Sequence, residues 1–200
     1  DELAHQSGQD PLSFRLRHLK DPRAIDVLNT VVQKSLWWNL PREEGVGRGI
    51  AWARYKNTGS WCAVAARVQA GEQLRVLNID VAVDVGQVID LDGVINQTEG
   101  GALQSMSWTL KESVAFDQTR VLTRSWGDYP VLRFGEVPRV TVHVIDRPEQ
   151  PAAIRPPGRT EPHAGRYVAA DGRAGLRPHR AERGAGERPG DFGEPIRHCF

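Results

Sequence analysis

Cysteine is nearly absent from this chain: Cys62 and Cys199 are the only two in 200 residues. Two thiols so far apart in sequence form neither a disulfide framework nor a metal-ligand spacing. Cys62 lies in an apolar segment and is expected to be a buried core thiol. An excess of one charge is also lacking. The formal net charge is +1, which argues against a dedicated nucleic-acid binder, because such proteins concentrate basic charge on one face. No hydrophobic run is long enough for a membrane-spanning helix, and the first residues carry no signal-peptide pattern. His5, His18, His143, His163, His179 and His198 show no metal-ligand spacing either. Trp37, Trp38, Trp52, Trp61, Trp108 and Trp126 are expected in cores or interfaces rather than against a substrate.

What is present fits a folded domain with an appendage: 40% hydrophobic and 26% charged residues over a length that supports a sizeable core. Asp10-Pro11 and Asp21-Pro22 each pair a capping acceptor with a proline suited to the first helical position. Leu12, Leu16 and Leu19 follow the first signal. Ile25, Leu28, Val32 and Leu36 follow the second at helical spacing, so residues 1–40 are expected to be helical.

The apolar period then changes to alternation. Residues 49–55 and 61–68 read as strands joined by the turn Lys56-Asn57-Thr58-Gly59-Ser60, and Leu77, Ile79, Val81, Val83 and Val85 mark a third. Asn78, Asp80 and Asp84 fall on that strand's other face, where the two carboxylates are expected to bond to loops. Three consecutive strands predict an antiparallel meander with one buried face. Residues 114–116 and 140–145 read as further short strands. A helix is expected over 94–112, with Asp92 as its cap. The fold class is therefore α+β: N-terminal helices, then an antiparallel sheet with a packed helix over residues 41–150.

The predicted helix begins unusually. Two adjacent glycines, Gly100 and Gly101, stand in its first half, each costing about 1 kcal/mol against alanine. At helical spacing Gln97, Gly101, Gln104 and Trp108 share a face, while Leu103, Met106 and Leu110 share another. A face of small and polar residues lets a ligand approach the backbone. Without further context Gln97 reads as a helix-start residue bonding free backbone N–H groups, and Glu99 as a carboxylate favoured by the helix N-terminus.

Residues 151–200 break the composition. They hold 9 Arg, 7 Pro, 8 Gly and 8 Ala, no lysine and no apolar period. Such a segment buries too little apolar surface to order itself, and disorder is expected. The same residue types dominate when a GC-rich gene is read in a shifted frame.

An ordered series of segments resembles the molybdopterin-binding large subunit of the xanthine dehydrogenase and aldehyde oxidase family. It comprises Asp1-Glu2-Leu3-Ala4, Asp10-Pro11-Leu12-Ser13-Phe14-Arg15-Leu16-Arg17, Gly49-Ile50-Ala51, Tyr55-Lys56-Asn57-Thr58-Gly59 and Val83-Asp84-Val85-Gly86. Asn96 through Gln104, Asp128 through Phe134 and Glu136-Val137-Pro138 continue it, and bacterial members are the most similar. The resemblance implies a molybdenum hydroxylase that oxidises aldehydes or N-heterocycles with water. A pterin dithiolene, often carrying a cytosine dinucleotide in bacteria, would hold the molybdenum, and an iron–sulfur partner would take the electrons. By the same resemblance Gln97 contacts the pterin, Gly100 and Gly101 let it approach, and Gln104 is a second polar contact. Family members occur in the cytoplasm and the periplasm.

The series stops near residue 150. A Gly-rich loop with the family's catalytic glutamate is expected shortly after Asp146-Arg147-Pro148, and the Arg/Pro/Gly/Ala-rich tail stands in its place. Gly193-Glu194-Pro195 imitates the loop about forty residues too late. The coincidence of both breaks favours a shifted frame. The chain is therefore expected to be a fragment of such a subunit, inactive alone, with a non-catalytic α+β interaction module as the alternative.

Overall fold

A computed structural model describes residues 1–39, 43–55 and 59–150. The expectations for residues 151–200, and for residues 56–58 of the turn between the first two strands, lie outside these. Both Asp-Pro signals open helices as their chemistry requires. The Asp10 carboxylate accepts from the N–H groups of Leu12 and Ser13 at the start of α2 (Pro11–His18), and that of Asp21 accepts from Arg23 N–H at the start of α3 (Pro22–Lys34). A short α1 (Glu2–Gln6) precedes them. The stripe that α3 buries is Ala24, Val27, Leu28, Val31 and Val32. Leu36 does not continue it: the helix ends at Lys34, and Leu36 turns the chain with φ of 54° and stays exposed.

Three long strands follow: β1 (Val46–Tyr55), β2 (Ser60–Gln69) and β3 (Arg75–Asp84). They pair as the expected antiparallel meander, Ala51 opposite Val64 and Val64 opposite Val81. The fourth strand departs from expectation. β4 (Arg139–Ile145) lies beside β3 and runs parallel to it, so the sheet is mixed, in the order β1-β2-β3-β4. The cause is the connection. The 20-residue helix α4 (Leu91–Leu110) carries the chain away, and the return brings it back to the start of β3, from which only a parallel strand can run.

The sheet also buries both faces, not one. Ile50, Trp61, Ala63, Ala65 and Ala82 meet α3, whereas Cys62, Val64, Ala66, Ile79 and Val81 meet Ala102 and Met106 of α4. Burial on both sides explains the near-continuous apolar run of β2, which a half-solvated strand would not tolerate. It also places Asp80 and Asp84 beneath α3 rather than in solvent. The expected strand at 114–116 is reduced to a single bridge, Phe116 to Val121. The segment that contains it runs over the surface and exposes Val114, Phe116, Val121, Leu122, Trp126 and Phe134. Of the six tryptophans, Trp37 and Trp61 are core residues, and Trp38 and Trp126 are exposed.

Candidate functional site

Helix α4 starts earlier than its sequence suggests. Asp90, not Asp92, is the cap: its carboxylate accepts from Gly93 N–H at 3.0 Å, and a Cβ on Gly93 would lie 2.6 Å from that carboxylate. A side chain at 93 would therefore oblige the Asp90 carboxylate to shift. The earlier start changes the meaning of two candidates. Gln97 is the seventh helical residue, beyond the four free N–H groups, so it has no capping role. Glu99 lies more than two turns in, where the favourable effect of the helix terminus on a carboxylate has faded.

One side of α4 is closed. Val94, Thr98, Gly101, Ala102, Ser105 and Met106 form its buried stripe against β3 and β4. The hydroxyls of Thr98 and Ser105 donate to the carbonyls of Val94 and Gly101, each at 2.7 Å, which satisfies them without outside partners. Ser107 accepts from Leu132 N–H at 2.9 Å and so ties the returning chain to the helix. These three hydroxyls escaped the sequence reading; their repeated small-polar spacing around the glycines was the available signal.

The other side is open, and three of the four candidates share it. Gln97, Gly100 and Gln104 are exposed, and a Cβ on Gly100 would meet no heavy atom within 4 Å. Nothing within the described residues therefore demands glycine at 100. Neither glutamine amide bonds to another described residue, so each presents an N–H₂ donor and a carbonyl acceptor outward. Gly101 belongs instead to the buried stripe, which separates it from the face on which the helical wheel placed it. The open side thus carries two outward amides with a glycine between them in sequence.

The strand carboxylates serve structure. Asp84 is fully buried and receives Arg23 Nε at 2.8 Å, Arg147 Nε at 2.6 Å and Gly86 N–H at 3.0 Å. Burial would raise its pKa, but the hydrogen bonds from Arg23, Arg147 and Gly86 prevail and hold the carboxyl below its ordinary value. Arg147 also pairs with Asp26 of α3, so its own pKa is raised, chiefly by Asp84 and then by Asp26. Two of the partners of Asp84 lie in loops, as expected, and the third is on α3. Asp80 departs from that expectation, because its neighbours are on strands: it takes an amide N–H of Asn78 at 2.9 Å and lies 3.4 Å from His143 Nε2. Among the described residues no group of three His, Cys, Asp or Glu side chains could hold a metal ion. No helix there is long and apolar enough to cross a membrane.

The profile of the molybdopterin cofactor-binding domain matches residues 32–138. A nicotinate dehydrogenase subunit from Pseudomonas putida is 35% identical over 168 residues, covering 76% of this chain and 14% of that protein. The beta subunit of isoquinoline 1-oxidoreductase from Brevundimonas diminuta is 32% identical over 160 residues, covering 77% and 20%. The chain thus spans a fifth or less of the length of these two relatives. Among solved structures, quinoline 2-oxidoreductase from Pseudomonas putida 86 aligns with 57% of this chain and 14% of its own, at 24% identity and a TM-score of 0.48.

Proposed function

Because the chain belongs to the molybdopterin cofactor-binding domain family, matched from residue 32 to residue 138, we propose that it supplies one wall of the cofactor site of a molybdenum hydroxylase. The observation that carries this reading is the exposed strip of Gln97, Gly100 and Gln104 beside the buried stripe of α4. The residues fit the group. Outward amides match the donors and acceptors of a pterin edge, and the open space over Gly100 permits contact with the helix backbone. Gln97 is the principal contact, Gln104 the second, and Gly100 the point of close approach. Gly101 contributes by letting α4 sit close to the sheet.

When bound, the molybdenum cofactor supplies the redox chemistry of hydroxylating an aldehyde or N-heterocycle with water. The chain's own residues orient and hydrogen-bond it. The bacterial character of the resemblance favours the cytosine dinucleotide form, and electrons would pass to an iron–sulfur partner. The described residues offer one open wall and no catalytic base beside it, and in this reading the chain by itself neither retains the cofactor nor turns over substrate. Purified chain assayed for molybdenum and for pterin fluorescence should contain neither. Measurable oxidation of an aldehyde or heterocycle by the isolated chain would overturn the claim of inactivity.

The exposed apolar side chains between Val114 and Val137 favour a second reading, a non-catalytic module that binds a protein partner through this segment. Affinity capture discriminates the two. Recovery of an iron–sulfur subunit supports the first, and recovery of unrelated partners alone supports the second.

A further inference from the structure

The opposite end of α4, about 20 Å along the helix from Gln97 at 1.5 Å per residue, forms one side of a groove of about 750 Å³. That volume lies in the range of small-molecule sites. Its floor is apolar, made by Leu74 at the approach to β3, Met106 and Leu110 of α4, and Leu132 and Val137 of the returning chain. Its rim is cationic. Lys111 is already engaged by Glu136, which also accepts from Arg133 N–H. Arg75 and Arg139 are different: both are exposed, both line the groove, and neither guanidinium meets a carboxylate or any other hydrogen-bond acceptor among the described residues. Every other titratable group lining the groove is in the Lys111–Glu136 pair, so two positive charges remain uncompensated over an apolar floor.

An apolar floor attracts hydrocarbon, whereas guanidinium groups present planar forks that match a carboxylate. We propose that this groove binds a small amphipathic carboxylate, its hydrocarbon part against Met106, Leu110 and Leu132 and its anionic end at Arg75 and Arg139. The site is separate from the polar strip of α4 and does not depend on the cofactor reading. A neutral ligand of the same shape would leave the arginines unanswered, and an amphipathic cation would be repelled.

Met106 is the single methionine of the sequence and is buried at the groove floor, so its methyl group is a specific reporter. The test is a titration of the full chain, carrying a ¹³C-methyl label at Met106, with octanoate below its micelle concentration. 1-Octanol and octylammonium serve as the neutral and cationic counterparts. Octanoate should shift the Met106 methyl resonance saturably, and the other two should not. In the double variant Arg75→Gln, Arg139→Gln the apparent Kd should rise about tenfold or more, as expected for losing charge-assisted hydrogen bonds. Val137→Glu, which tethers a carboxylate beside the floor, should weaken octanoate to a similar extent. The proposal is overturned by the absence of a shift, by equal responses to octanol or octylammonium, or by unchanged affinity in the arginine variant with its fold verified by circular dichroism.

Discussion

Arg147 donates from Nε to the fully buried carboxylate of Asp84 at 2.6 Å, joining residues 63 positions apart. With Arg23 on the same carboxylate, the contact fastens α3, the end of β3 and the chain leaving β4 at one point. Removing the charge leaves two guanidinium groups facing a neutral amide. Asp84→Asn should therefore lose about 3 kcal/mol of stability, the scale for breaking a buried ion pair, as read from urea unfolding at pH 7. A loss below about 1 kcal/mol would mean that the arginines find other partners.

The same carboxylate sets a pH dependence. Its folded pKa lies below that of the unfolded chain, so the unfolded state binds the proton first as pH falls. The stability it contributes is complete above about pH 5, roughly a unit above the ordinary aspartate value, and is lost as pH falls through the lower folded value. Unfolding midpoints of the native chain and Asp84→Asn should therefore converge between about pH 5 and strong acid. A gap that widens on acidification would contradict the assignment.

Gly100 separates folding from cofactor contact. Since an added methyl meets nothing there, Gly100→Ala should preserve the fold and stabilise it by about 0.5–1 kcal/mol. Placed in a complete subunit that loads the cofactor, the same change should lower molybdenum and pterin content, as should Gln97→Ala. Full cofactor content in both variants would remove the strip from the site.

The two most exposed aromatics of the segment after α4 contribute little to folding. Trp126 is 86% exposed and Phe134 is 100% exposed. Replacing both with serine should shift stability by no more than about 0.5 kcal/mol per site. Leu28→Ala, in the fully buried face of α3, should cost about 2–5 kcal/mol. Comparable losses from the two experiments would show that the segment packs more closely than its exposure indicates.

The composition break at Pro151 is open to a genetic check. Resequencing the locus and translating the alternative frames should reveal, with a one-base shift near residue 151, a Gly-rich loop containing a glutamate. An intact frame without such a sequence would remove the frameshift explanation.

The sequence by itself determined the local elements. Asp10-Pro11 and Asp21-Pro22 fix two helix starts through backbone chemistry alone, and alternation of Leu77, Ile79, Val81 and Val83 fixes a strand whatever packs beside it. The glycine pair and outward glutamines of α4 were legible for the same reason, being features of one helix. Only the tertiary structure decided the direction of β4, because parallel and antiparallel edge strands carry similar residues and the choice depends on where α4 delivers the chain. It likewise decided that Asp84 is buried: period-two alternation assigns it a face, but that the face is covered depends on α3, some sixty residues away. Gly101 shows the boundary most closely. A helical wheel orders its neighbours around the axis, yet the arc that meets the sheet is set by the packing of Ala102, Ser105 and Met106, which turns Gly101 inward and leaves Gln97, Gly100 and Gln104 to form the wall.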